Sequence, residues 1–407
     1  MGVLDTLRER GFVSQCSDEA ALARLLDGER TSFYIGFDPT GDSLHVGHLQ
    51  QLMAMAHLQR DGHRHIALVG GGTARIGDPS GKSEMRKILP VETIAANAEA
   101  FRRQMARFLD FSEGNALLLD NAEWLAPLNY IEFLRDIGRH FSVNRMLTFE
   151  AYKMRLETGL SFIEFNYQLL QSYDYLVLYR RHGCRLQMGG DDQWGNIVAG
   201  MDLIRRVDAG EAYALTSPLV TRSDGKKMGK TESGALFLDP KQTGPYEFHQ
   251  YWVNVPDDDV ERFLLRFTFL PAADIKARCA HRDQRINEAK RLLARELTTT
   301  VHGADEARRA EEGAKAAFGG GADLANLPTV EVSAVELAAG LTVIDAIVRS
   351  GLCATKSEAR RLIEQGGAML NGVKVVSIDA VVSRTDFASG AAVLQAGKKK
   401  HRRIVLT

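Results

Sequence analysis

The chain has 407 residues, 45% of them hydrophobic and 25% charged, with a formal net charge of −1, which suits a globular protein of two or three domains with a sizeable core. No apolar run approaches the ~20 residues a membrane helix needs, and the charged opening MGVLDTLRERGFV lacks the apolar centre of a signal peptide. Cys16, Cys184, Cys279 and Cys353 stand too far apart to suggest a zinc cluster or a disulfide framework, so a cytoplasmic protein is expected.

In chain order, the opening stretch reads as an amphipathic helix. Across residues 31–231, FYIGF, IALVGG and RLQMGG are short apolar runs ending in glycine, each followed by a helical pattern. Strands alternating with helices predict a doubly wound parallel α/β sheet of Rossmann-like type. Residues 247–317 carry Arg, Ala, Glu and Leu at helical spacing, which predicts an all-helical region. FGGGADLANLP, at 318–328, reads as a linker. ATKSEARRLIEQGGAMLNGVKV then predicts a basic helix, a glycine stop and a strand pair turning at Asn371-Gly372. The expected division is an α/β domain over 1–235, a helical domain over 236–317, a linker over 318–340 and a small α+β domain over 341–407. From residue 341 onward there are 11 Lys and Arg against 5 Asp and Glu, a balance of +6 in a nearly neutral chain. A basic tail domain points to a polyanion.

The stretch FDPTGDSLHVGH, residues 37–48, follows the first predicted strand. One helical turn puts His45 and His48 on the same face. In an open α/β sheet, ligands bind beyond the carboxyl ends of the strands. Asp42 or Ser43 is placed to cap the helix that begins near His45, and the N-terminus of that helix favours a phosphate over a cation. Gly47 leaves room for a flat ring to pack on the backbone. A metal reading lacks a third ligand at useful spacing, Asp38 being the nearest. Farther along, RSDGKKMGKT at 222–231 sets three lysines within five positions between glycines, a pattern suited to closing on phosphate oxygens.

H-x-G-H after the first strand and K-M-x-K-[ST] after the last, about 180 residues apart, resemble the two signatures of class I aminoacyl-tRNA synthetases. Within that class, YIGFDPTGDSLHVGHL, LVGGGTARIGDPSGKSEMR and YQLLQSYD followed by GGDDQWGNI are similar to the bacterial tyrosyl-tRNA synthetases, with the tryptophan-specific branch as the nearest alternative. Independently, Tyr167, Gln171 and Asp174 stand at i, i+4 and i+7 in a strongly apolar stretch, so a helix aligns a polar stripe that needs partners.

The resemblance implies tyrosine–tRNA ligation: L-tyrosine and ATP give tyrosyl-adenylate and pyrophosphate, and tyrosine then passes to the 3′-terminal adenosine of tRNA(Tyr). It assigns Tyr34 and Asp174 to the substrate phenol and Asp78, Tyr167 and Gln171 to its α-ammonium group, while Gln193 orients the reacting carboxylate. Thr40 and His45 would meet the γ-phosphate, His48 the ribose and base side, and Lys82, Arg86, Lys227, Lys230 and Thr231 the departing pyrophosphate. Gly36, Asp38, Gly47, Gly190 and Asp192 would line the nucleotide site. Asp191 stands where the family often has serine. Magnesium is expected to accompany ATP, with no protein metal site. The tail resembles an RNA-binding module of ribosomal proteins, with Lys356, Arg360, Arg361, Lys398, Lys399, Lys400, Arg402 and Arg403 as candidate RNA contacts. A homodimer formed through an insertion within residues 115–190 is likewise implied. A catalytically silent RNA-binding protein on the same scaffold, and a nucleotidyltransferase sharing H-x-G-H, are the competing readings.

Overall fold

A computed structural model describes residues 2–81, 88–112, 114–221, 223, 230–231, 234–281, 283–319, 327–388, 390–397 and 400–407. The chain forms two compact units, Met1–Thr243 with Val255–Leu293, and Gly244–Asn254 with Ala294–Thr407.

The first unit is built on six strands: β1 (Gln15–Cys16), β2 (Ser32–Phe37), β3 (Arg64–Val69), β4 (Ala116–Asp120), β5 (Cys184–Gly190) and β6 (Tyr213–Ser217), in the spatial order β1-β6-β5-β2-β3-β4. β2 to β6 are parallel, as the alternation of strands and helices predicts, while β1 runs antiparallel to β6. A two-residue edge strand is too short to show any alternation. SFYIGF and RHIALV read as nearly continuous apolar runs because helices cover both faces of a parallel sheet; Phe33, Tyr34, Ile35, Ile66, Ala67, Leu68 and Val69 are all buried. The covering helices include α1 (Val3–Glu9), α2 (Glu19–Gly28), α3 (Val46–Arg60) and α4 (Val91–Met105). α3 is buried almost all round, because it packs on β3 and also meets the helix Asp257–Phe267.

The strand order reverses at β2: the chain goes from β2 to β3 and β4 on one side, then to β5 and β6 on the other. That reversal opens a crevice beyond the carboxyl ends of β2 and β5. Asp38 follows β2, Gly70 to Thr73 follow β3, Asn121 follows β4 and Asp191 to Gln193 follow β5. Gly36, within β2, is exposed, with open space where a Cβ would stand. Between β4 and β5 lies a helical insertion that includes Tyr130–Asp136, Glu150–Thr158 and Tyr167–His182. Gly183 ends the last of these in the left-handed region at φ 62°, where a glycine costs least.

The predicted helical region contains Pro245–Val253, Asp257–Phe267, Ala272–Cys279, Ile286–His302 and Ala304–Gly319, shared between the two units. The second unit also holds a five-stranded sheet, ordered Val373–Lys374, Ala368–Leu370, Ala392–Ala396, Lys400–Leu406 and Thr329–Val332. The turn at Asn371-Gly372 has φ of 51° and 78°, the left-handed pair that joins two antiparallel strands tightly. The basic helix is Lys356–Glu364, capped by Thr355 and Glu358. The helical domain expected over 236–317 is thus divided between the two units, and the linker boundary differs as well. Thr329–Val332 and Ala334–Ala338, placed in the linker, are a strand and a helix of this module. The strand's partner is the last strand of the chain, joined in parallel, so local sequence gave no sign of it.

Candidate active site

His45 and His48 come together, but not under the expected cap. Asp42 accepts instead from Gln242 and Ser43 donates to the Leu44 carbonyl. His45 itself caps α3: its Nδ1 accepts from the Gly47 N–H at 3.0 Å, and His48 Nδ1 accepts from the His45 N–H at 3.1 Å. The two imidazoles thus form a reciprocal capping box, stacked with ring centroids 3.9 Å apart. An Nδ1 that accepts carries no proton, so each neutral ring holds its proton on Nε2. Imidazole N–H groups at a positive helix end suit an anion. Gly47 also has a neighbour within the protein: a Cβ there would lie 2.8 Å from His45 Cε1, so the missing side chain makes room for the histidine. Thr40, exposed, follows Asp38 at the mouth of the same loop.

The lysine-bearing stretch is anchored beside this loop at both ends. After it, the Val46 N–H donates to the Leu236 carbonyl at 3.1 Å and the Leu238 N–H to the Leu44 carbonyl at 2.8 Å, pairing His45 with Phe237. Before its lysines, Gln50 of α3 donates to the Pro218 carbonyl at 2.8 Å, Arg262 donates to the Thr221 carbonyl at 2.6 Å, and Asp259 accepts the Ser223 N–H at 3.0 Å. Lys82, Arg86 and Lys227 lie outside the described residues. Lys230 and Thr231 are described as backbone only, in a short ribbon with Gly234–Ala235.

Deeper in the crevice, Tyr34 on β2 is 1% exposed and its hydroxyl has no hydrogen-bond partner among the described residues. Burial, with the charge of nearby Asp174, holds its pKa well above the ordinary phenol value. Asp174, on the helix Tyr167–His182, accepts from Trp124 Nε1 at 2.7 Å and Asn121 Nδ2 at 2.9 Å. Burial outweighs both donors and pushes its pKa up to about 8, with the charges of Asp38 and Asp120 adding to the rise. A buried hydroxyl beside a buried carboxyl matches a ligand hydroxyl that both donates and accepts.

Two hydrogen-bond networks surround this pair. In one, Tyr167 donates to Asp38 Oδ2 at 2.8 Å, Thr73 donates to Asp38 Oδ1 at 2.7 Å, and Asn121 links Thr73 to Asp174. Gly70 is required here, because a Cβ would fall 1.9 Å from Asp38 Oδ1. In the other, Asp78 accepts from the Ser80 N–H at 2.9 Å and from Gln193 Nε2 at 2.8 Å, while Asn196 donates to Gln171 at 3.1 Å. Gly190 leaves space for Asp192, whose Oδ1 would stand 2.5 Å from an added Cβ.

Comparisons with known proteins decide what this site belongs to. A family model described as tRNA synthetases class I (W and Y) matches residues 26–319, and one described as a tyrosine–tRNA ligase C-terminal domain matches 322–404. A tyrosine–tRNA ligase of Acetivibrio thermocellus is 53% identical over 404 residues, covering 99% of both chains. That of Caldanaerobacter subterraneus subsp. tengcongensis is 53% identical over 406 residues, covering 100% of both. The chain belongs to the tyrosine–tRNA ligase family. A solved mitochondrial tyrosyl-tRNA synthetase of Aspergillus nidulans, truncated at its C-terminus, superposes with a TM-score of 0.67 at 31% identity, over 76% of this chain and 92% of that one. Neither the tryptophan-specific nor the silent alternative is favoured by these matches.

Within this family frame, Asp191 has a structural task. It accepts from Ser14 at 2.7 Å and Thr216 at 2.6 Å, tying β1 and β6 to the end of β5. Sequence reasoning missed Thr73, Asn121, Trp124 and Asn196. The one available signal was Asn121, a polar residue directly after an apolar strand, the position that faces ligands in such sheets. Of the tail cations, Arg360, Arg361 and Lys400 are exposed. Lys356 pairs with Asp345 at 2.6 Å, Arg402 donates to the Ser350 carbonyl, and Arg403 is half-buried. Lys398 and Lys399 lie outside the described residues.

Proposed function

We propose that the protein activates L-tyrosine with ATP and transfers it to tRNA(Tyr), using the residues gathered beyond β2 and β5. The observation that carries this is the buried pair of Tyr34 and Asp174, the latter held by Trp124 and Asn121, which suits a phenol and would leave a phenylalanine ring facing unpaired polar groups. Asp78, Tyr167 and Gln171 hold the ammonium group and Gln193 orients the carboxylate. That carboxylate is already ionised at neutral pH, so its attack on the α-phosphorus needs no general base. Catalysis is then a matter of positioning two anions and meeting the charge that builds on the phosphates. Thr40, His45 and His48 serve the phosphate and ribose side. Gly36, Asp38, Gly47, Gly190 and Asp192 line the nucleotide, and Lys82, Arg86, Lys227, Lys230 and Thr231 meet the departing pyrophosphate. Magnesium enters as the counter-ion of ATP.

The second step brings in the basic module, where Arg360, Arg361 and Lys400, with Lys356, Lys398, Lys399, Arg402 and Arg403, supply phosphate contacts to the tRNA. A homodimer is supported by exposed apolar side chains on the insertion, among them Ile131, Val143, Leu156 and Phe162. No described helix is long and apolar enough to cross a membrane, and the reaction belongs in the cytoplasm. The test is pyrophosphate exchange into ATP with tyrosine, tryptophan, phenylalanine or no amino acid, on wild type and Asp174→Ala. Exchange that depends on tyrosine and is lost in the variant is expected. Exchange with tryptophan overturns the substrate, and none with any amino acid overturns the activity.

A further inference from the structure

We propose that Asn196 is a positioning residue that decides which end of two substrate-binding amides faces bound tyrosine. The proposal rests on the reading of Gln171 and Gln193 given above. A side-chain amide offers an oxygen at one end and an NH2 at the other, and only its partners decide which end points where. Here those partners form a run anchored at both ends by groups with no choice. At one end is the Gly195 backbone carbonyl, which can only accept, and Gln168 Nε2 donates to it at 3.1 Å. The same NH2 reaches Asn196 Oδ1 at 3.5 Å, so the oxygen of Asn196 faces Gln168 and its NH2 faces the site.

There the NH2 meets three acceptors: Gln171 Oε1 at 3.1 Å, Gln193 Oε1 at 3.3 Å and Ser80 Oγ at 3.3 Å. With its oxygen turned to Asn196, Gln193 directs Nε2 to Asp78 Oδ2 at 2.8 Å. A carboxylate is an acceptor, so the run ends as firmly as it began. Every amide between Gly195 and Asp78 therefore has a single orientation. Gln171 presents an oxygen whose second lone pair suits an ammonium group, and Asp78 is met by N–H donors alone in this run. Asn196 and Gln168 are 4% and 0% exposed, so solvent does not replace a lost partner.

The experiment is steady-state pyrophosphate exchange by the full chain, with KM measured separately for tyrosine and ATP and with thermal melting as a fold control, on wild type, Asn196→Asp, Asn196→Ala, Asn196→Ser and Gln171→Ala. Aspartate keeps the shape of asparagine but donates nothing. It turns an oxygen toward two oxygens and forces both glutamines to reverse or to lose their partner. Tyrosine KM is expected to rise by roughly ten- to a hundred-fold in Asn196→Asp, more than in Asn196→Ala, with ATP KM little changed. If Asn196 only fills space, the isosteric aspartate is milder than alanine. If charge alone matters, a carboxylate near an ammonium group lowers tyrosine KM. Either result overturns the proposal. Should Asn196→Asp not fold, serine still donates one hydrogen and is expected to be milder than alanine; equal tyrosine KM values for the two overturn it. Gln171→Ala with an unchanged tyrosine KM would instead overturn the placement of Gln171 itself.

Discussion

Gly47→Ala separates stability from catalysis. The new Cβ would stand 2.8 Å from His45 Cε1 and 3.0 Å from its Nδ1, well inside the ~3.5–4.0 Å at which such atoms rest. The obstructing atoms belong to the outer part of a side chain, so the imidazole swings away and the backbone stays. Losing the cap on α3 costs about 1 kcal/mol. Alanine in place of glycine inside a helix returns about 0.5–1 kcal/mol. The melting temperature should therefore hardly move. Activation should not escape: the ring that was to meet the phosphates has left, and losing one preorganised donor slows such steps by roughly 10²–10³-fold. Tyrosine KM should hold, because Tyr34 and Asp174 are untouched. The assay is tyrosine-dependent pyrophosphate exchange alongside thermal melting, with His45→Ala and the double variant in parallel. The double variant should be no slower than either single one, since both remove the same ring. Exchange at the wild-type rate would refute the reasoning, as would a large fall in melting temperature, which would mean that the backbone yields instead.

Three further outcomes are expected. Gly70→Ala, whose Cβ would overlap Asp38 Oδ1 at 1.9 Å, should displace Asp38, release the Tyr167 hydroxyl and raise tyrosine KM roughly ten-fold; an unchanged KM counts against the Asp38–Tyr167 bond as a positioning contact. Asp174 is protonated in the folded protein up to about pH 8 but only up to about pH 4 when unfolded. Between those values the folded form holds the extra proton, so Asp174's contribution to stability falls as pH rises from about 4 through about 8 and levels off above. The melting temperature of tyrosine-free wild type minus that of Asp174→Ala should thus shrink from pH 5 to pH 9, and a difference that grows contradicts it. Asp259→Ala frees the Ser223 N–H, for which it is the acceptor at 3.0 Å. It should lower kcat for exchange several-fold while leaving tyrosine KM alone, and a change confined to KM would count against it.

The strands, and the H-x-G-H stretch that follows one of them, were legible because apolar runs ending in glycine before helical patterns carry their own periodicity. So was the turn at Asn371-Gly372, where the residue types alone demand left-handed backbone. The polar stripe of Tyr167, Gln171 and Asp174 was legible from helical spacing. The capping of α3 was not, since sequence rules favour Asp42 and Ser43, whereas three-dimensional neighbours, Gln242 for Asp42 and Gln104 for Ser43, claim both side chains. Trp124 and Asn121 reach Asp174 from 50 and 53 positions away, and no local pattern foretells such a bond. Asp191 read as an anomaly against its family, yet Ser14 and Thr216, each distant in sequence, account for it.

The parallel pairing of Thr329–Val332 with Lys400–Leu406 bears on where this chain can be divided. A fragment beginning at residue 341 would keep the basic helix and four strands but strip the cover from its terminal one. The N–H and C=O groups of Arg403–Leu406, the part that Thr329–Val332 covers, would then form an open rim, ready to recruit a strand from another molecule. Only Arg403 among those four would repel a like neighbour, leaving Ile404, Val405 and Leu406 as the adhesive part. A fragment beginning at residue 327 carries its own shield, so the two should differ in self-association far more than fourteen residues would suggest.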